Sequence, residues 1–211
     1  HLRRDPETHE TVISGMGELH LDTIVYHLKH YNKLNVELTT PRVAYRETVM
    51  AHAEGSYRHK KQSGGRGQFG EVHLKVDPQP TGKGFEFVNA IVGCVVPGKF
   101  IKTKKKGVVE SMGRGIVAGY QVVDVKVTLF DGKDHAVDSS EQAFKTAGIM
   151  CFRNVARTAK PILLEPIVNA TIEVPDQYLG DTMSDISSKR GRDLGMDAVN
   201  GRQVINAPVP L

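Results

Sequence analysis

Apolar residues recur at helical spacing in several stretches of the chain. In the clearest, Leu21, Ile24, Val25 and Leu28 form one apolar stripe at spacings of three and four, which predicts an amphipathic helix. A proline at the first turn and a serine at an N-cap position mark the starts of two further helices. The predicted helices are 18–31, 97–112, 140–159 (capped by Ser139 or Ser140) and 176–188.

Strict alternation of apolar and polar residues predicts strands between these helices. From Phe69 to Val76, the positions Val72, Leu74 and Val76 alternate with polar neighbours, which is typical of a half-buried strand. A hairpin is predicted around Asn200-Gly201. The predicted strands are 10–14, 36–38, 43–53, 57–62, 69–76, 85–92, 120–130, 167–174, 192–199 and 204–207.

The order of these elements divides the chain into three parts. Residues 1–40 form half of a small two-layer α+β domain, residues 41–165 a complete domain, and residues 166–211 another half. Because the chain starts at His1 rather than Met, we expect both ends to be cuts in a longer protein. The predicted fold class is α+β.

The composition is that of an ordinary globular protein, with 39% hydrophobic and 25% charged residues among 211. No apolar run approaches the roughly 20 residues that a membrane span needs, so no membrane partner is expected. Cys94 and Cys151 lie in apolar surroundings and are predicted to be core residues in a reducing compartment. We therefore expect a cytoplasmic protein.

The net charge of +4 is concentrated in three basic clusters, which suit a polyanionic partner. For the second cluster, a solvated helix face is an equally good interpretation. The clusters are residues 58–66, 99–106 and 189–192.

No catalytic, cofactor or metal site is predicted in this chain. Gly65–Gly70 matches G-x-G-x-x-G, but the residues that follow alternate like a strand, whereas a dinucleotide site needs a helix N-terminus there. The sequence has no P-loop, and His20, His27 and His30 lack the ligands that would complete a metal set.

Two polar loops remain as candidate binding elements. In the first, residues 58–68, three glycines let the backbone approach another surface and cations gather beside them, so it is either an RNA contact or a plain turn. Its candidate residues are Lys60, Lys61, Gln62, Ser63, Gly64, Gly65, Arg66, Gly67 and Gln68. The second loop, residues 131–138, contains His135, which on its own is interpreted as an ordinary loop histidine.

These loops and their flanks resemble the bacterial elongation factor G family. The blocks are collinear over the whole chain. They are Ser14-Gly-Met-Gly-Glu-Leu-His-Leu21, Arg42-Val-Ala-Tyr-Arg-Glu-Thr48, His59-Lys-Lys-Gln-Ser-Gly-Gly-Arg-Gly-Gln-Phe-Gly70, Val137-Asp-Ser-Ser-Glu141 with Ala143-Phe-Lys145, Leu164-Glu-Pro166 and Ser188-Lys-Arg-Gly191.

The resemblance implies a fold and a function. The central domain should be of the ribosomal protein S5 domain 2 type, flanked by two incomplete ferredoxin-like domains. The implied partners are the ribosome's decoding region, tRNA and mRNA, contacted during translocation, with no DNA. GTP and Mg²⁺ would bind an upstream domain outside this chain. The resemblance also adds Lys133, Asp134 and His135 to the RNA-contact residues, with His135 at the tip histidine position.

Four departures from the family pattern keep alternatives open. Asp134 stands where Tyr is usual, Ala136 where an acidic residue is common and Cys94 where glycine is usual. Pro97-Gly-Lys-Phe100 is a variant of a Pro-Lys-Glu-aromatic block. A diverged paralogue acting in another translation step, or a free-standing RNA-binding module, are the alternatives. A P-loop encoded upstream of His1 would exclude the free-standing module.

Overall fold

The computed structural model describes residues 1–5, 8, 10–62, 67–92, 98–199 and 201–211. The chain forms two compact units, residues 1–44 together with 165–211, and Tyr45–Leu164. It combines helices with largely antiparallel sheets, so the predicted α+β class is confirmed. Within the described ranges, no helix is long and apolar enough to cross a membrane.

The elements follow one another in this order along the chain. The strands are β1 (Leu2–Arg4), β2 (Thr11–Ile13), β3 (Arg46–Val49), β4 (Ala53–Lys61), β5 (Gln68–Pro78), β6 (Phe85–Asn89), β7 (Val125–Lys133), β8 (Pro161–Leu164), β9 (Ile167–Pro175), β10 (Gly195–Val199) and β11 (Arg202–Pro210). The helices are α1 (Glu18–His30), α2 (Gly98–Gly113), α3 (Glu141–Thr158) and α4 (Leu179–Ser188), with a 3₁₀ turn at Asp176–Tyr178.

A four-stranded sheet of order β4-β5-β7-β6 is the centre of the larger unit. β5 pairs antiparallel with β4 and β7, and β6 lies parallel to β7. The alternation predicted in β5 is confirmed, because Val72, Leu74 and Val76 are fully buried. α3 packs on β4 and β5. Ser140 caps that helix, its hydroxyl accepting from the Ala143 N–H at 3.1 Å, as predicted.

Two glycines let α2 and α3 pack unusually close together. A Cβ on Gly107 would collide with the Lys145 carbonyl oxygen, and one on Gly148 would lie 2.9 Å from that of Lys104. Glu110 bridges the helices through Lys145, with 2.6 Å between Oε2 and Nζ. The two helices therefore form one layer over the sheet.

A buried carboxylate joins β3 to the segment after α2. Glu47 is fully buried, and its two oxygens accept hydrogen bonds from the N–H groups of Ile116, Val117, Ala118 and Tyr120. Burial by itself would raise the pKa of Glu47, but these four backbone donors hold it below its ordinary value. The loop is an anion-binding nest filled by the chain's own side chain.

Lys104 is a buried cation on α2 with a different environment. Its side chain is fully buried, and Nζ has no hydrogen-bond partner within the described residues. Nζ lies 4.7 Å from the centre of the Phe144 ring. Burial lowers the pKa of Lys104 to about 8, against the opposing pull of the Asp131 and Asp134 carboxylates.

The smaller unit contains two separate sheets. β1 and β2 form a hairpin, and β9, β11 and β10 form an antiparallel sheet in the order β10-β11-β9. Ile186 of α4 packs with Ile205 and Ala207 of β11 in a small core. β10 and β11 form the hairpin predicted around Asn200-Gly201, with Gly201 at φ 72°, although Asn200 lies outside the described residues.

Three sequence predictions about strands are wrong. The predicted strand 43–53 is broken after Val49, because the Met50 and Ala51 N–H groups donate to the Ala159 carbonyl and β4 begins only at Ala53. Residues 36–38 are not in a strand, because a run of three extended residues needs a partner strand to pair with. The predicted strand 120–130 begins only at Val125, since Asp124 has φ 54° and its carboxylate turns to accept from the Gly82 and Gly84 N–H groups. That strand then continues to Lys133, into the predicted second loop.

We predict that Glu47→Gln destabilises the larger unit, because the amide NH₂ would face backbone N–H donors that the carboxylate satisfies. The free energy of unfolding should fall by about 2–4 kcal/mol at neutral pH. Because the folded pKa is lowered, the carboxylate's contribution is complete above its ordinary pKa and is lost as pH falls through the lower folded value. The difference between the proteins, measured by urea unfolding, should shrink in acid.

The control is Glu54→Gln, the same substitution on an exposed residue whose carboxylate lies 3.2 Å from the Lys75 ammonium. It should cost less than about 1 kcal/mol. Equal losses for both variants would contradict the role given to Glu47.

We predict that Lys104→Met stabilises the protein at neutral pH by up to about 3 kcal/mol, because it removes a buried ammonium. Below pH 8 the lysine is charged in both states, and the folded state carries the whole cost. Between about pH 8 and 10.5 Lys104 stays protonated only in the unfolded chain, so the wild-type free energy of unfolding rises with pH. The difference in stability between wild type and variant therefore shrinks over this range. Urea unfolding from neutral to alkaline pH measures this, with exposed Lys105→Met as control. A difference in the free energy of unfolding that does not change with pH would contradict the prediction.

Candidate nucleic-acid interface

The predicted contact residues lie at one end of the central sheet. Lys60 and Lys61 end β4, Gln68 begins β5, and Lys133 ends β7. Because β4 and β7 both run antiparallel to β5, the C-terminal ends of β4 and β7 lie on either side of the N-terminal end of β5. Gln62, Gly67, Asp134 and His135 follow or precede these strand ends. The predicted residues Ser63, Gly64, Gly65 and Arg66 lie outside the described part of the chain.

A cavity of about 190 Å³ brings residues of both loops together. Six predicted contact residues line it, together with two others that the sequence analysis did not select. The lining is formed by Lys60, Lys61, Gln62, Gly67, Gln68 and His135, with Phe69 and Asp138. The predicted residues Lys133 and Asp134 are exposed but are not among these lining residues.

Backbone and side-chain hydrogen bonds join the two loops directly. Phe69 donates its N–H to the Asp138 carbonyl at 2.9 Å, and the Ser139 hydroxyl donates to the Phe69 carbonyl at 3.0 Å. The Asp138 carboxylate accepts from the Gly67 N–H at 3.1 Å. A Cβ on Gly67 would lie 3.0 Å from the Asp138 carboxyl carbon, so this close approach needs glycine. The loops are therefore fixed to each other at their bases.

His135 is held by its own loop and keeps an exposed ring. Its N–H donates to the Ser139 hydroxyl at 2.8 Å, and its side chain is 55% exposed. The ring atom Nδ1 lies 3.3 Å from both the Val137 and Asp138 nitrogens, whose N–H groups donate to it. With Nδ1 accepting these two bonds the neutral imidazole carries its proton on Nε2, whereas the Asp138 carboxylate, 3.6 Å from Nδ1, favours a proton on Nδ1. The Phe69 ring lies 6.1 Å away, between ring centres.

A second polar cluster lies beside the site on β4 and β5. Glu71 is buried and accepts from Arg58 Nε at 2.6 Å, and its other oxygen lies 3.0 Å from His73 Nε2. Burial would raise the pKa of Glu71, but Arg58 and His73 hold it below its ordinary value. The Arg58 side chain, 59% exposed, is thus fixed by a buried carboxylate next to Lys60.

The residues that position the loops were not predicted from the sequence. The contacts of Asp138 with Gly67, of Ser139 with Phe69 and of Glu71 with Arg58 span 71, 70 and 13 positions, so no local pattern marks them. Among the residues described, no cluster of His, Cys, Asp and Glu could hold a metal ion. The arrangement offers hydrogen-bond donors and cations on a fixed backbone, and these are groups that bind phosphate and sugar.

Three family models match consecutive parts of the chain. The model for elongation factor G, domain IV, matches residues 41–160, which contain both loops and the whole central sheet. The model for elongation factor G, domain III, matches residues 1–40. The model for the elongation factor G C-terminus matches residues 162–211.

A solved structure agrees with these matches. The chain is similar to a crystal structure of a protein from Thermus thermophilus, with 39% sequence identity and a TM-score of 0.88. The similarity covers 100% of this chain and 31% of that one, so the chain spans about a third of its length. The chain belongs to the elongation factor G family.

Proposed function

We propose that this chain is the ribosome-inserting arm of an elongation factor G-like translation factor. Its two loops would contact the decoding region of the small subunit and the tRNA–mRNA helix during GTP-dependent translocation. The observation that carries the proposal is the cavity at the end of the sheet, where two loops far apart in sequence present Lys60, Lys61 and His135 together. Family membership supports the translation role.

The mechanism proposed for this site is steric and electrostatic, without bond chemistry. The Asp138 and Ser139 hydrogen bonds hold Gly67 and Phe69 in place, so contact with RNA would not have to order the backbone at these two positions. Lysine ammonium groups would neutralise phosphates, and the His135 ring and Gln62 amide would hydrogen-bond to ribose or base edges. A protein wedge of this kind would hold a moved codon–anticodon helix against slipping back.

We also propose the organisation of the parent protein. The domains would be residues 1–40, 41–165 and 166–211, and the matched ranges 1–40, 41–160 and 162–211 support this division. GTP and Mg²⁺ would bind a separate domain of the parent, since the family models matched here are those of domain III, domain IV and the C-terminus. The cellular location would be the cytoplasm.

A diverged paralogue acting in another translation step is the second candidate. Asp134 is exposed beside His135, and an acidic side chain there would repel phosphate. This observation favours a contact that differs from that of the main translocase. Both candidates require the first loop to bind RNA on the ribosome.

We predict that Lys60→Gln/Lys61→Gln/Arg66→Gln weakens binding of the chain to ribosomes by about tenfold or more at low salt, because up to three phosphate contacts are lost. The slope of log affinity against log salt concentration should become shallower by about 2–3. Equilibrium binding of a fluorescently labelled chain at several salt concentrations measures both.

The matched control is Arg3→Gln/Lys29→Gln/Lys83→Gln, which removes the same charge from exposed positions outside residues 58–68 and 131–138. It should change affinity and slope little. Equal effects of the two triple variants would show that only net charge matters and would refute the proposed contact.

A further inference from the structure

The outer face of α2 carries three lysines that the candidate site does not use. Lys102, Lys105 and Lys106 are exposed, whereas Thr103, Lys104, Gly107 and Val108 on the other side of the helix are buried. The sequence left two interpretations of this cluster open, a polyanion contact or a solvated face. The structure adds two observations that separate them.

The first observation is the charge balance of the helix layer. α2 contains five lysines and one glutamate, and α3 contains one lysine, two arginines and one glutamate. The two helices together carry +6, more than the +4 of the whole chain. The one glutamate of α2, Glu110, lies 2.6 Å from both Lys145 and Arg114, so it is already neutralised and does not compensate the three lysines.

The contrast with the other face of the sheet is direct. There, three cations lie beside carboxylates: Lys75 with Glu54 at 3.2 Å, Arg58 with Glu71 at 2.6 Å, and Lys126 with Glu86 at 3.9 Å. These strand cations are therefore compensated locally. The α2 face departs from that arrangement.

The second observation is an open groove of about 470 Å³ along this face. Its lining consists of Lys102, Lys105, Lys106, Val109 and Glu110. Val109 is 48% exposed, and with the lysine stems it makes an apolar floor below a rim of ammonium groups. Side chains three and four positions apart on a helix are neighbours, so all three charges can meet one continuous polyanion.

We propose that the α2 face binds the sugar–phosphate backbone of double-stranded RNA, as a contact separate from the two loops. Flexible lysines act as point charges toward phosphates without reading sequence. Single-strand sites use aromatic side chains as stacking platforms, and the groove lining contains none, while the Phe87 ring, 5.9 Å from Lys105 Nζ, is half-buried. The proposal rests on the proposed function only for the source of the duplex, which would be ribosomal RNA.

The test uses the whole chain and an RNA duplex of about 20 base pairs, longer than the span that a double-stranded-RNA domain covers. Binding is measured by fluorescence anisotropy across a salt series. Lys102→Gln/Lys105→Gln/Lys106→Gln should make the slope of log affinity against log salt shallower by about 2–3 and weaken binding about tenfold at low salt. Lys102→Arg/Lys105→Arg/Lys106→Arg keeps the charge and should bind like wild type, which separates charge loss from misfolding.

Three results would overturn the proposal. The first is that Lys102→Gln/Lys105→Gln/Lys106→Gln and the control Arg3→Gln/Lys29→Gln/Lys83→Gln give the same slope of log affinity against log salt. The second is that the chain binds an acidic peptide or phosphatidylserine vesicles more tightly than the duplex, in a way that depends on these lysines. The third is tighter binding to single-stranded RNA of the same length, which would assign the groove to a different ligand.

Failure of this proposal and failure of the proposed function are distinguishable. Suppose that the Lys60/Lys61/Arg66 variant loses ribosome binding but the α2 glutamine variant keeps the wild-type salt dependence of duplex binding. Then the α2 proposal alone is wrong. Suppose instead that the α2 glutamine variant has a shallower salt dependence of duplex binding while the loop variant binds ribosomes normally. Then the proposed loop contact is wrong and the α2 proposal is supported.

Discussion

The pairing of β5 with β7 is the constraint on which the rest of the larger unit depends. It places the start of β5 beside the end of β7, and so the first loop beside the second. The same register points Val72, Leu74 and Val76 into the core under α3, and a shift by one residue would turn all three outward. A bulge between His73 and Leu74 changes the register, so that Glu71 lies opposite Lys133 at the polar end. The pairing of β5 with β7 therefore sets both the packing of the core and the geometry of the candidate site.

The two buried charges of this unit illustrate opposite solutions to desolvation. Glu47 is surrounded by four N–H donors, so its burial ties β3 to the segment after α2. Lys104 has only the face of Phe144 and more distant carboxylates among the described residues, and its ammonium is correspondingly easier to deprotonate. Both lie in the body of the unit rather than in the loops. The scaffold can therefore be stable while described loop residues such as Lys61 and His135 remain exposed, as the proposed binding surface requires.

Local patterns predicted the local structure. The helices of 18–31 and 140–159, the Ser140 cap and the alternation of β5 follow from periodicity and capping within a few residues, and the structure has them. Contacts between distant residues carry no such signal. The pairing of Gly67 with Asp138 and of Glu47 with the 116–120 segment spans about 70 positions each. The chemistry of residues 58–68 marked the first loop as a candidate contact, and family resemblance added Lys133, Asp134 and His135, but neither identifies the hydrogen bonds that hold them.

The central claim, that His135 takes part in moving tRNA and mRNA, is tested most directly by single-round translocation with the parent protein that contains this chain. The account predicts rapid GTP-dependent movement that slows by about tenfold in His135→Ala, the expected cost of losing one polar contact. His27→Ala, an exposed histidine on α1, should move tRNA and mRNA at the normal rate. Ribosome-stimulated GTP hydrolysis with no movement in either the wild type or His135→Ala would contradict the claim and favour the diverged paralogue.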